Sequence, residues 1–214
     1  MQPISDEIYR TRKQFFNERA DVWLDHCYRD PSTGRLDKHA KDFERLFSLL
    51  PLKQGDHVLD AGCGSGVLVP FLLERITETG FLYELDFADQ MIEVNRGLHK
   101  RDNIAFIVSD AENQPLDKAC CDAVICFSCF PHFHDKGKAV TALAGALKPG
   151  GVFVVSHFDS AEGINRHHGK FSAVMHDHLP GEAAMRALFR NADLSIEKFI
   201  DEAGFYCIIA GKQP

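Results

Sequence analysis

Apolar residues recur at helical spacing near the start of the chain. Ile8, Phe15, Phe16, Ala20, Trp23 and Leu24, between Asp6 and Cys27, predict one or two amphipathic helices. Asp30, Pro31, Ser32 and Gly34 predict a turn. Phe43, Leu46, Phe47 and Leu50 then share one face of a helix over 36–50, closed by Pro51. From His57 the pattern becomes short apolar runs separated by helical ones. His57–Ala61, Phe81–Asp86, Ile104–Ser109, Ala123–Phe127 and Val152–His157 predict five strands, with helices over Val67–Thr77, Asp89–Leu98 and Lys136–Leu147. Repeated units of this length predict a parallel sheet with right-handed crossovers.

The tail departs from that rhythm. A polar, histidine-rich stretch runs from Asp159 to His178, followed by a predicted helix over Pro180–Asn191. The last two predicted strands, Leu194–Ile200 and Phe205–Ala210, are joined only by Asp201–Gly204. A connection that short requires an antiparallel hairpin. The expected fold class is α/β: a seven-stranded, mostly parallel, doubly wound sheet with an antiparallel last strand and helices on both faces.

A length of 214 residues suits one large domain. The formal net charge of −7, with Lys and Arg scattered, argues against nucleic acid as a partner. No apolar run approaches the ~20 residues of a membrane span, and Met1–Arg10 does not resemble a secretory leader, so a cytoplasmic address is expected. Seven cysteines, several within predicted strands, predict reduced thiols. The CxxC spacing of Cys126 and Cys129 reads as structural, because it lies in an apolar strand context and Pro131 follows.

Three places carry candidate chemistry. The turn after the first strand reads Asp60-Ala61-Gly62-Cys63-Gly64-Ser65-Gly66, where alternate glycines let the backbone turn tightly and let a ligand approach. Its DxGxGxG spacing differs from the GxGxxG of a nicotinamide-binding loop. Asp86 closes the second strand, where a carboxylate can accept both hydroxyls of a ribose. Asp110-Ala111-Glu112 follows the third strand.

With these residues the sequence resembles the class I (Rossmann-like) S-adenosylmethionine-dependent methyltransferases, in the small-molecule branch that includes ubiquinone and menaquinone methyltransferases. HVLDAGCGSG looks like their first motif, YELDFADQMI like the second, SDAENQPL like the third, and the segment from Cys121 to Gly151 like the fourth and fifth together. The resemblance implies S-adenosylmethionine as donor, with Asp60 and Gly62 at its methionine end, Gly64 and Gly66 in the same cradle, and Asp86 at the ribose. It further implies Phe87, Met91, Asp110 and Ala111 around the adenine, and Cys126, Phe127 and Ser128 where the methyl group emerges. It divides the single domain 1–214 into a helical lid (1–54), a donor-binding core (55–158) and an acceptor-side segment with the terminal hairpin (159–214).

The acceptor is expected to be a small molecule. Among the histidines after strands four and five, His132 and His157 are the first candidates to contact it, since imidazoles act as bases near neutral pH. No metal is assigned, although the His-x-His pairs 132/134 and 176/178 leave a metal reading open. Phe15, Phe16 and Trp23 would close the lid. The competing readings are a donor-binding sensor or partner subunit without turnover, and a nicotinamide oxidoreductase. Monomer and homodimer both stay open.

Overall fold

A computed structural model describes residues 6–213; residues 1–5 of the expected lid and residue 214 of the terminal segment lie outside the described residues. The strands are β1 (His57–Ala61), β2 (Phe81–Asp86), β3 (Ile104–Val108), β4 (Cys121–Phe127), β5 (Leu147–His157), β6 (Leu194–Glu202) and β7 (Phe205–Lys212). They form one sheet in the order β3-β2-β1-β4-β5-β7-β6. β1, β2, β3, β4 and β5 pair in parallel, and β7 is antiparallel to both β5 and β6. The seven strands and the antiparallel β7 agree with the sequence reading.

Alternation along each strand sorts side chains onto two faces. Val124 and Cys126 of β4 pack in one core with helices α6 (Lys136–Ala146), α7 (Ala161–His168) and α8 (Glu182–Asn191). Ala123, Ile125 and Phe127 pack on the other with α3 (Ala40–Leu49) and α4 (Val69–Ile76). α5 (Asp89–Leu98) lies against β2 and β3. The N-terminal segment breaks into α1 (Asp6–Asn17) and α2 (Trp23–Tyr28) with a single 3-10 turn between them.

Two expectations need correction. The fifth strand begins at Leu147, not Val152, because residues around Gly150 (φ +78°) continue along β4 through a register irregularity between Cys121 and Ala123. The polar stretch 159–178, for which the sequence predicts no element, contains α7, which starts where Ser160 Oγ accepts the Gly163 N–H at 3.1 Å. That cap supplies what the missing apolar stripe does not.

Strand order reverses between β1 and β4, so the crevice of the sheet opens at their carboxyl ends. α1 and α2 cross this opening.

Candidate active site

A cleft of about 870 Å³, open mouth included, lies at those strand ends. Its floor is the turn after β1, where Gly62 and Gly64 take left-handed φ of +80° and +54°. A Cβ on Gly62 would lie 2.5 Å from Cys129 Cβ, so β4 and the turn can close only around hydrogen there. Gly66, also left-handed, does not face the cleft, and its Cα abuts the Asn95 side chain of α5. Its glycine is required for packing.

Asp60 is buried, lines the cleft, and neither carboxylate oxygen has a hydrogen-bond partner. Burial holds its carboxyl well above the usual range, and the nearby Glu84 adds to the shift. A buried carboxylate without a partner is costly, which suits a site whose cation or amino group arrives with a ligand. Asp86 accepts the Gly64 N–H at 2.9 Å and the Ala88 N–H at 2.8 Å, and those bonds aim it into the cleft. Burial lifts Asp86 to about 6 against these backbone donors. Glu84, beneath the cleft, accepts from Asn95 Nδ2 at 2.6 Å and is pushed by burial to about 8.

Phe87, Met91, Asp110, Ala111 and Phe127 also line the cleft, so the structure brings together every sequence-predicted donor residue except Gly66. Cys126 is fully buried behind the wall, whereas Ser128 lines it with φ +54°. A non-glycine residue in that conformation is strained and marks a position held by its surroundings. Ser128 and the buried Tyr28 of α2 both line the cleft. Asp110 is engaged by the hydroxyl of Tyr9, which donates to it from α1.

The two candidate catalytic histidines part company. His132 lines the cleft, edge-on to Phe16 with ring centroids 5.0 Å apart. Its Nδ1 lies 2.7 Å from Asp177 Oδ2. Burial lowers His132 below the ordinary histidine value although Asp177 acts the other way. His157 is buried away from the cleft wall, with Nε2 unpartnered and the ring edge-on to Tyr206. Burial drops it to about 3, so it stays neutral.

Of the sequence-predicted lid residues, Phe16 and Trp23 line the cleft, and Phe15 packs edge-on against Phe16. Sequence reasoning missed Tyr9, Arg12 and Asp177. The Arg12 guanidinium is fully buried, pairs with Asp177 Oδ1, and donates to the His132 carbonyl oxygen at 2.6 Å. Arg12 follows Tyr9 at i+3 on an amphipathic helix, where an arginine ordinarily reads as a solvated side chain. Among the described residues no group of three His, Cys, Asp or Glu side chains could hold a metal ion, and no helix is long and apolar enough to cross a membrane.

Residues 59–155 match the family model of a methyltransferase domain. The 27-O-demethylrifamycin SV methyltransferase of Amycolatopsis mediterranei is 26% identical over 164 residues, which cover 73% of this chain and 60% of that protein. A ubiquinone/menaquinone biosynthesis C-methyltransferase (UbiE) of Wigglesworthia glossinidia brevipalpis is 30% identical over 105 residues, covering 47% of this chain and 42% of the relative. The chain thus spans 60% and 42% of these relatives' own lengths. A methyltransferase solved in complex with the Trm112 methyltransferase activator of Haloferax volcanii superposes with a TM-score of 0.76 at 22% identity, covering 93% of this chain and 98% of the other, a likeness of fold. Residues 59–155 thus match a methyltransferase domain, and with its glycine turn, its ordered carboxylates and its sheet order the chain is similar to the class I S-adenosylmethionine-dependent methyltransferases.

Proposed function

We propose that this protein transfers a methyl group from S-adenosylmethionine to a small-molecule acceptor by direct in-line displacement. The observation that carries the reading is Asp60, whose two carboxylate oxygens are buried in the cleft wall without a partner. That carboxylate suits the amino group and nearby sulfonium of the donor. In this reading Gly62 and Gly64 admit the methionine end, Asp86 receives the ribose hydroxyls, and Phe87, Met91, Asp110 and Ala111 surround the adenine. Phe127 lies beside the reacting centre, and Gly66 keeps the turn packed on α5.

S-adenosylmethionine supplies an activated methyl group that carries its own leaving group. The protein therefore has to position the acceptor, exclude water and remove a proton where the acceptor carries one. Phe16, Trp23 and Tyr28 cover the cleft and keep water out. His132 is the candidate base, because it lines the cleft and His157 does not. Residues 1–54 act as the lid, 55–158 as the donor-binding core and 159–214 as the acceptor side. All seven cysteines are free, which fits a reducing compartment such as the cytoplasm.

Calorimetry with S-adenosylhomocysteine, followed by methyl-labelled donor and a fractionated extract of small metabolites, tests the reading. Binding and a labelled product are expected. Binding with no labelled product would favour the sensor without turnover, and absence of binding would overturn the donor site itself.

A further inference from the structure

His132, Asp177 and Arg12 come from three distant segments: the loop after β4, the stretch between α7 and α8, and α1 of the lid. Asp177 is fully buried and uses both carboxylate oxygens, Oδ1 for Arg12 and Oδ2 for His132 Nδ1. Arg12 reaches His132 as well, through its carbonyl oxygen at 2.6 Å. His168 packs against the His132 ring at a tilt of 36° with centroids 4.9 Å apart, its own Nδ1 lying 2.7 Å from the Asp177 carbonyl oxygen. The imidazole is thus held along one edge and one face. Among the described residues its second nitrogen, Nε2, has no hydrogen-bond partner, and His132 is part of the cleft wall. Arg12, Lys136, His157, His168 and Asp177 are charged or titratable groups acting on it.

We propose that Asp177 and Arg12 are positioning residues that fix His132 as the Nδ1–H tautomer with a free Nε2 lone pair toward the acceptor, so that the acceptor is an uncharged hydroxyl compound. This rests on the methyltransferase reading above. A carboxylate accepts only from an N–H, so Asp177 places the neutral ring's proton on Nδ1 and leaves Nε2 able to accept one. In the transfer, the acceptor O–H bond breaks and its proton goes to Nε2. The oxygen bonds the methyl carbon as the carbon–sulfur bond breaks, and that electron pair stays on sulfur as S-adenosylhomocysteine. Asp177 balances the imidazolium until the proton returns to water.

The acceptor class follows from what surrounds His132. Among the described residues no Lys or Arg lines the cleft, while Asp60, Asp86, Asp110 and Glu112 do. An ammonium acceptor would have to sit against the cationic donor, and no cationic side chain of the described cleft wall is placed to pair a carboxylate acceptor. A hydroxyl enters uncharged and leaves as an ether.

Because Arg12 belongs to α1, the lid must be seated for the base to be held. Nitrogen-15 NMR of histidine-labelled protein with S-adenosylhomocysteine reads this without turnover. The expected His132 signals are those of a neutral Nδ1–H ring in the wild type, with mixed tautomers in Asp177→Asn and an altered tautomer ratio in Arg12→Lys. A wild-type Nε2–H ring, or an Asp177→Asn spectrum identical to wild type, overturns the proposal, and the wild-type spectrum decides even if the variants fail to fold. The product of labelled donor and metabolite extract tests the acceptor class. Label released as methyl iodide by hydriodic acid but stable to mild alkali is expected. Label lost as methanol in mild alkali, or retained on a cation exchanger as an amine, overturns it. Loss of S-adenosylhomocysteine binding in the wild type would instead count against the donor site, whatever tautomer His132 shows.

Discussion

The donor end of the cleft is built from strand ends and the turns directly after them, so most of its polar contacts are short in sequence. Asp86 meets the Gly64 N–H across 22 residues and its own neighbour Ala88 across two. At the acceptor end Arg12 meets Asp177 across 165 residues and Asp177 meets His132 across 45. The two ends also differ in satisfaction. Asp60 is buried and unpaired, whereas Asp177 is buried and fully paired. The donor end thus keeps a buried carboxyl without a hydrogen-bond partner for a ligand to satisfy, while the acceptor end is a polar unit that helps hold the lid down.

Breaking one partner of that polar unit should give the largest effect. Arg12→Met or Asp177→Leu leaves a fully buried charge without its ionic partner, a loss of about 3–5 kcal/mol in urea unfolding, while the double variant recovers part of that loss. At the donor end the sign reverses. Asp60→Asn removes an unpaired buried carboxylate, so the free protein should melt higher, yet S-adenosylhomocysteine should bind about 10- to 150-fold more weakly, roughly 1.5–3 kcal/mol by calorimetry. A lower melting point for Asp60→Asn would break the contrast.

Titration separates the ends more gently. Burial lifts Asp86 from 3.8 to about 6 and Glu84 from 4.5 to about 8, so the folded chain keeps protons that the unfolded chain has released. Their contribution makes stability fall as pH rises from near 4 toward 8. Burial lowers His157 from 6.5 to about 3 and His168 to about 4, so the unfolded chain takes up protons first. Their contribution makes stability fall as pH drops below 6.5 toward 3. Melting temperatures across this range should show both limbs, with Glu84→Gln flattening the alkaline limb and His157→Leu the acid one. Tyr9→Phe should do least. It frees Asp110 from the lid hydroxyl, and S-adenosylhomocysteine affinity should change by no more than about threefold.

Legibility in the sequence followed the same division. The DxGxGxG turn, Asp86 and Asp110 could be read because strand ends fix which residues face a crevice, whatever the rest of the chain does. Gly66 looked like a fourth contact because a glycine required for packing and one required for a ligand look alike in sequence. α7 could have been found from Ser160 and the acidic Glu162 in its first turn, although its apolar stripe is too thin to announce it. β5 begins early because Leu147 pairs with Cys121 of β4, and the strand bulges over 148–151 before pairing resumes at Val152.

By itself, then, the sequence determined the alternation of strand and helix, the terminal hairpin, and the glycines and carboxylates after β1, β2 and β3. These depend on hydrophobic period, turn length and backbone freedom, all local quantities. Only the tertiary structure decided that His132 and His134 reach the cleft while His157 does not, that Arg12 is buried, and that Asp177 joins Arg12 to His132. Those outcomes require segments far apart in the chain to pack together, and a polar side chain carries no local sign of the partner that will justify its burial.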